Sequence, residues 1–288
     1  MAGEHDPQPG AGVPALARRL QHQHWQPDLI VIDEAHHAIA GTWANVISYW
    51  PDSLLLGVTA TPIRQDGRGL GAMFDRLVLG PSTARLIAGG YLAPARIYAP
   101  PPVADLAGIH RRAGDYAIDE AANRMDRPTV TGDAISHYQR IGVGQRAIAF
   151  CCNVNHATSV CDAFNAAGIR AATLLGNTTD RDALVARVAG GELQVLVTVD
   201  VVSEGFDCPG AAVAILLRPT QSEGLYLQQV GRVLRPAPGK AAAIVLDHVG
   251  NVHRHGWPDD AREWSLADQE RRARSAGQPA PSVRTCPE

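Results

Sequence analysis

The stretch that decides the fold is "LIVIDEAHH" (29–37). Four apolar residues, Leu29 to Ile32, run without a break into Asp33 and Glu34, and a histidine pair follows. An unbroken apolar run of this length fits a strand buried on both faces, as in a parallel sheet. Such a strand delivers its C-terminal residues to the crevice where open α/β sheets bind ligands. Of two carboxylates at that position, one can hold a hydrated Mg²⁺ and its neighbour can orient or deprotonate a water. That is equipment for phosphoanhydride hydrolysis. Taken alone, the pair reads first as surface acids at the N-terminus of the next helix. The rest of the chain shifts the balance.

Further runs of strand length follow at "LLLGVT" (54–59), "RAIAFC" (146–151), "AATLL" (171–175), "VLVTV" (195–199), "VAILL" (213–217) and "AIVLD" (243–247). Helical patterns lie between them at 155–167, 179–189 and 221–234, and a short one is expected at 15–22. Alternating βα units make a parallel α/β sheet. The first 14 residues are rich in Gly and Pro and are expected to be loose. A first unit is read over 15–95, a proline- and turn-rich connector over 96–130, a second unit over 131–256 and a tail over 257–288. "DDAREW" and "QERRARSAG" in that tail suggest a solvated helix.

With 288 residues, 45% of them hydrophobic, the chain can build two modest cores. A net charge of -3 gives no global basic field for indiscriminate nucleic-acid binding, though a local phosphate grip stays open. Five cysteines without regular spacing are no disulfide framework, which suggests a reducing, cytoplasmic setting. Cys151, Cys152 and Cys161 read as core residues, and the histidine-rich 248–256 as a solvated loop. The start of the chain lacks signal-peptide features, and no apolar run is long enough to span a bilayer. Of 26 basic residues, the only lysine is Lys240.

The segment "QQVGRVLRP" (228–236) carries the second signal. Thr220 followed three residues later by Glu223 suggests a capping box at the start of its helix. Gln228, Arg232 and Arg235 share one helical stripe, opposite Tyr226, Leu227, Val230, Val233 and Leu234. Gly231 between them costs helix stability, which suggests close approach to the backbone there. Arginines aimed at a γ-phosphate are worth roughly 10³–10⁵ in rate.

"DEAH" (33–36), "TATP" (59–62), "AIAFCCNVNHA" (147–157), "VTVDVVSEGFDCPG" (197–210) and "QQVGRVLRP" resemble, in order and spacing, motifs II to VI of the superfamily-two DEAD/DEAH-box helicases. "LRPT" (216–220), "GK" (239–240) and "DH" (247–248) bring the resemblance nearest to bacterial and phage ATP-dependent helicases. It implies two RecA-like domains with ATP and Mg²⁺ between them. Asp33 would hold Mg²⁺ through water and Glu34 would activate the attacking water. His36 would link the nucleotide to the other domain, and Thr59 and Thr61 would couple hydrolysis to nucleic-acid movement. Gly205 and Asp207 would border the nucleotide. Gln228, Arg232 and Arg235 would complete the site, with Asn153 and Thr198 on the nucleic acid. Val199 stands where many relatives have Thr, one residue before Asp200.

That chemistry also needs a glycine-rich phosphate loop with a lysine ahead of the acid pair. None of the 32 residues before Asp33 is a lysine. The first RecA-like domain is therefore read as incomplete, with impaired ATP binding and an uncovered apolar face. A monomeric, membrane-independent motor on DNA, ahead of RNA, is the leading expectation. A non-catalytic nucleic-acid- or protein-binding remnant and a double-strand DNA translocase are the alternatives. Cys286, in "CPE", suggests the start of a zinc knuckle or a stray tail cysteine.

Overall fold

The computed structural model describes residues 26–37, 41–64, 69–100, 105–112, 114–199, 208 and 210–267. Among these, one compact unit runs to Val78 and takes in 264–267, and a second runs from Leu79 to Glu263. The expected helix over 15–22, the loose start and Cys286 lie outside the described residues.

In the first unit, β1 (Leu29–Asp33) and β2 (Leu54–Val58) pair in parallel, with Leu29 opposite Leu54 and Asp33 opposite Val58. A single 3₁₀ turn, Ala35–His37, follows the acids, and α1 (Gly41–Ile47) comes next. Ile32 and Ala35 are buried, with Ile30, Ile47, Leu55, Met73 and Phe74 packed around them. Gly57 is required by that packing: a Cβ there would lie 2.5 Å from Phe74 Cζ and 2.8 Å from the Ala35 Cβ. The other sheet face differs from the two-sided burial expected of a parallel strand. Leu29, Val31, Leu54, Leu56 and Val58 alternate along the strands and share one side, each about half exposed or more.

The second unit contains a six-stranded parallel sheet in the order β3–β10–β9–β6–β8–β7. These are β3 (Ala95–Tyr98), β6 (Arg146–Phe150), β7 (Ala171–Leu174), β8 (Val195–Thr198), β9 (Ala211–Leu216) and β10 (Ala243–Asp247). Every residue of β8, β9 and β10 is buried, which explains their unbroken apolar sequences. On this sheet α5 (Val154–Ala166) packs against β7 and β8, α6 (Arg181–Ala189) against β7, and α7 (Glu223–Leu234) against β9 and β10.

The unit begins earlier than expected, with α2 (Thr83–Ala88) already in it. The segment read as a connector over 96–130 is part of this unit. β3 pairs with β10 at the sheet edge, and β4 (Arg111–Arg112) forms a short hairpin with β5 (Asp115–Tyr116). Then α3 (Ile118–Met125) buries Ala121, Ala122 and Met125, and α4 (Pro128–Ile141) buries Val130, Ala134 and Tyr138. That four-residue spacing is an amphipathic helix, and the prolines upstream masked it. The expected helix over "DDAREW" is absent. Arg262 instead organises a loop, donating to Trp257 O at 2.8 Å, Asp260 O at 2.9 Å and Glu223 Oε1 at 2.7 Å. After β10, α8 (Asn251–His255) replaces the solvated loop expected there, and its Asn251 and Val252 are buried.

Candidate functional site

Parallel pairing brings the ends of β1 and β2 together, and with them four of the expected residues. Asp33 is exposed, and its Oδ1 accepts the Glu34 N–H at 2.9 Å. Glu34 has φ +48°, the only positive φ of a non-glycine residue among those described. A left-handed residue with a side chain costs about 1–2 kcal/mol, and such strain concentrates at functional sites. His36 is buried, with Nδ1 2.9 Å from Thr59 Oγ1 and 3.4 Å from Glu34 Oε2. Thr59 Oγ1 donates to Thr61 O and accepts from Thr61 N–H, both at 3.2 Å. With that hydroxyl hydrogen spent on Thr61 O, His36 Nδ1 carries its own hydrogen and donates to Thr59. One imidazole thus joins the acid of one strand end to the threonines of the next.

In the second unit, α7 buries Tyr226, Val230, Val233 and Leu234 against β9 and β10. Gln228 and Arg232 on this helix are half-buried, as is Arg235, which caps its C-terminal end with extended backbone. A Cβ on Gly231 would meet nothing within 4 Å, so no packing neighbour requires that glycine. The expected capping box is not formed. Ser222 caps α7, accepting from Leu225 N–H at 3.2 Å. Thr220 is engaged elsewhere: its hydroxyl donates to Asp115 Oδ2 at 2.7 Å.

Asp115 escaped notice because it stands in the segment read as a connector. Its Oδ1 also accepts from Gln221 N–H at 2.6 Å, so one carboxylate fixes the approach to α7. Asn251 joins the same network, donating to Arg218 O at 3.1 Å and accepting from Thr220 N–H at 3.2 Å. Behind it, Asp247 accepts from Val249 and Val252 N–H groups, while burial holds its carboxyl above the usual range. His248 stacks on His137 with ring centroids 5.2 Å apart, and burial pushes its pKa down to about 4.

Asn153 caps α5, its side chain accepting from His156 N–H at 2.9 Å. Thr198 ends β8 and is buried. Gly205 and Asp207 lie outside the described residues. Cys151, Cys152 and Cys161 are free, buried thiols, and burial raises the pKa of each, to about 12 for Cys152.

Both groups of residues fall inside known families. "Helicase conserved C-terminal domain" matches residues 132–237, which hold α7 and its arginines. "Type III restriction enzyme, res subunit" matches 13–64, which hold Asp33, Glu34, His36, Thr59 and Thr61. Over both segments the chain is similar to superfamily-two helicases. Similar chains include a 51.5 kDa protein of a Lactococcus phage, 37% identical over 83% of this chain and 53% of its own length. The Saccharomyces cerevisiae ATP-dependent helicase IRC3 is 26% identical over 83% of this chain and 37% of its own. The chain thus spans about half the length of the phage relative, and less of the yeast helicase. Among solved structures, a fragment of an HsdR-type restriction subunit from Vibrio vulnificus YJ016 aligns with TM-score 0.63 at 22% identity, covering 85% of this chain and 49% of that one. S. cerevisiae Dbp5, bound to RNA and ADP BeF3, aligns with TM-score 0.58 at 15% identity over 86% of this chain and 62% of that one. These likenesses carry the RecA-like fold. Among the described residues, no helix is long and apolar enough to cross a membrane.

Proposed function

We propose that this chain supplies acid, histidine and arginine groups to a nucleic-acid-driven ATPase that moves along or separates DNA strands. The observation that carries the reading is the convergence of Asp33, Glu34, His36 and Thr59 at one end of a parallel strand pair. Asp33 suits a hydrated Mg²⁺: it offers a single hard carboxylate, exposed, with one oxygen taken by a backbone N–H. Mg²⁺, when bound, neutralises triphosphate charge. Glu34 orients and deprotonates the attacking water. His36, hydrogen-bonded to Thr59, makes the geometry of the acids depend on "TATP", and so couples hydrolysis to movement. Arg232 and Arg235, with Gln228, act on the charge that develops on a triphosphate.

A second reading, a double-strand DNA translocase, draws on the restriction-enzyme match over 13–64. The test is Mg-ATP hydrolysis by the purified chain with single-stranded DNA, duplex DNA or RNA. Turnover stimulated by DNA and lost in Glu34→Gln supports the proposal. Turnover indifferent to Glu34→Gln contradicts the site. Triplex displacement without strand separation selects the translocase.

A further inference from the structure

Lys240, the chain's only lysine, has no role in the chemistry described above. It sits at the end of "RPAPGK" (235–240), directly after α7. Arg235 precedes a proline, which disfavours helical backbone, and it leaves the helix extended at φ -61°, ψ 133°. Ala237 to Lys240 then make a tight turn. Lys240 N–H donates to Ala237 O at 3.1 Å, and Gly239 has φ +77°. Proline at the second position and glycine at the third are the residues a type II turn demands. The turn brings the lysine side chain back to the helix end. Its Nζ donates to Arg235 O at 2.8 Å and to Ala211 O, at the head of β9, at 2.7 Å.

A helix end leaves its last carbonyls without intrahelical partners, and a cation there is favourable. Here Leu234 O accepts from Ala93 N–H at 2.7 Å, and Arg235 O accepts from the ammonium. The ammonium is half-buried, and among the described residues no carboxylate pairs with it. Burial lowers its pKa to about 8. A partly desolvated charge is thus kept where it donates to two carbonyls, one at the end of α7 and one at the head of β9.

We propose that Lys240 is a positioning residue for the α7 arginines: by bridging Arg235 O to Ala211 O it fixes where the chain leaves the helix, and hence where the Arg235 side chain starts. The inference rests on the reading of Arg235 as a group acting on the triphosphate. A shift of 1 Å in such a group can cost about 100-fold in rate.

The test uses the full chain in excess over Mg-ATP with single-stranded DNA, so that slow cleavage is still read. Lys240→Met keeps the side-chain length but donates no hydrogen bond. It should slow cleavage at least about tenfold while ATP affinity changes less than about threefold. Lys240→Arg should recover part of the rate. If Lys240 acts through Arg235, Arg235→Ala/Lys240→Met stays within about twofold of Arg235→Ala. A Lys240→Met rate near wild type, or a double variant slowed by the product of the singles, overturns the proposal. If the Met variant melts, Lys240→Gln takes its place. Should wild-type cleavage survive Glu34→Gln, the triphosphate reading fails, and hydrogen exchange then judges the clamp separately. Amides of Val233 to Arg235 should exchange at least about tenfold faster in Lys240→Met, and unchanged exchange overturns the clamp.

Discussion

Asp115→Ala tests whether one carboxylate holds the entrance to α7. The wild-type carboxylate accepts from the Thr220 hydroxyl at 2.7 Å and from Gln221 N–H at 2.6 Å. Thr220 is fully buried, so its hydroxyl cannot turn to water when the acceptor is removed. Hydrogen bonds to a charged partner contribute about 1.5–3 kcal/mol each. Asp115 is only half-buried, which favours the lower figure. The variant should lose about 3 kcal/mol in urea denaturation of the second unit. Asp115→Asn keeps one acceptor and should lose about half as much. A double-mutant cycle with Thr220→Val should show coupling of about 1.5 kcal/mol. A loss under about 0.5 kcal/mol, or coupling near zero, would refute the reasoning.

Three further outcomes are expected. Because Glu34 sits at φ +48°, Glu34→Gly should be more stable than Glu34→Ala by about 1 kcal/mol, read by denaturation of the first unit. His248 has its pKa lowered by burial to about 4, so between pH 6.5 and 4 the unfolded chain binds a proton that the folded one refuses. Stability should therefore fall as pH drops through that window, by at most about 3 kcal/mol, and His248→Gln should flatten the slope in pH-dependent melting. Replacing the exposed Leu54 and Leu56 by Thr should reduce concentration-dependent light scattering, since both lie on the uncovered face of β1–β2.

The second unit's sheet was legible because its strands are buried throughout: "VLVT", "AAVAIL" and "AIVLD" have no polar face to obscure them. The stripe carrying Arg232 and Arg235 was legible for the complementary reason, since an amphipathic helix writes its buried side at fixed spacing. What escaped was non-local. Thr220 and Glu223 fit a capping box by spacing, yet Asp115, 105 positions away in sequence, claims the threonine hydroxyl and leaves Ser222 as the cap. The segment 96–130 read as connector because its turn formers come first and α3, with buried Met125, comes after. β1 and β2 read as doubly buried, but Leu29, Val31, Leu54 and Leu56 face outward. The turn before Lys240 is visible in "PG", whereas the carbonyls its ammonium reaches are a property of the fold.

The central claim is that Glu34 and Arg232 both serve triphosphate cleavage. Single-turnover cleavage of γ-labelled Mg-ATP with single-stranded DNA, in wild type, Glu34→Gln, Arg232→Ala and the double variant, tests it most directly. The account predicts that each single change removes the DNA-stimulated cleavage and that the double variant is no slower than the worse single. Cleavage that survives Glu34→Gln, or losses that multiply as for independent sites, would contradict it.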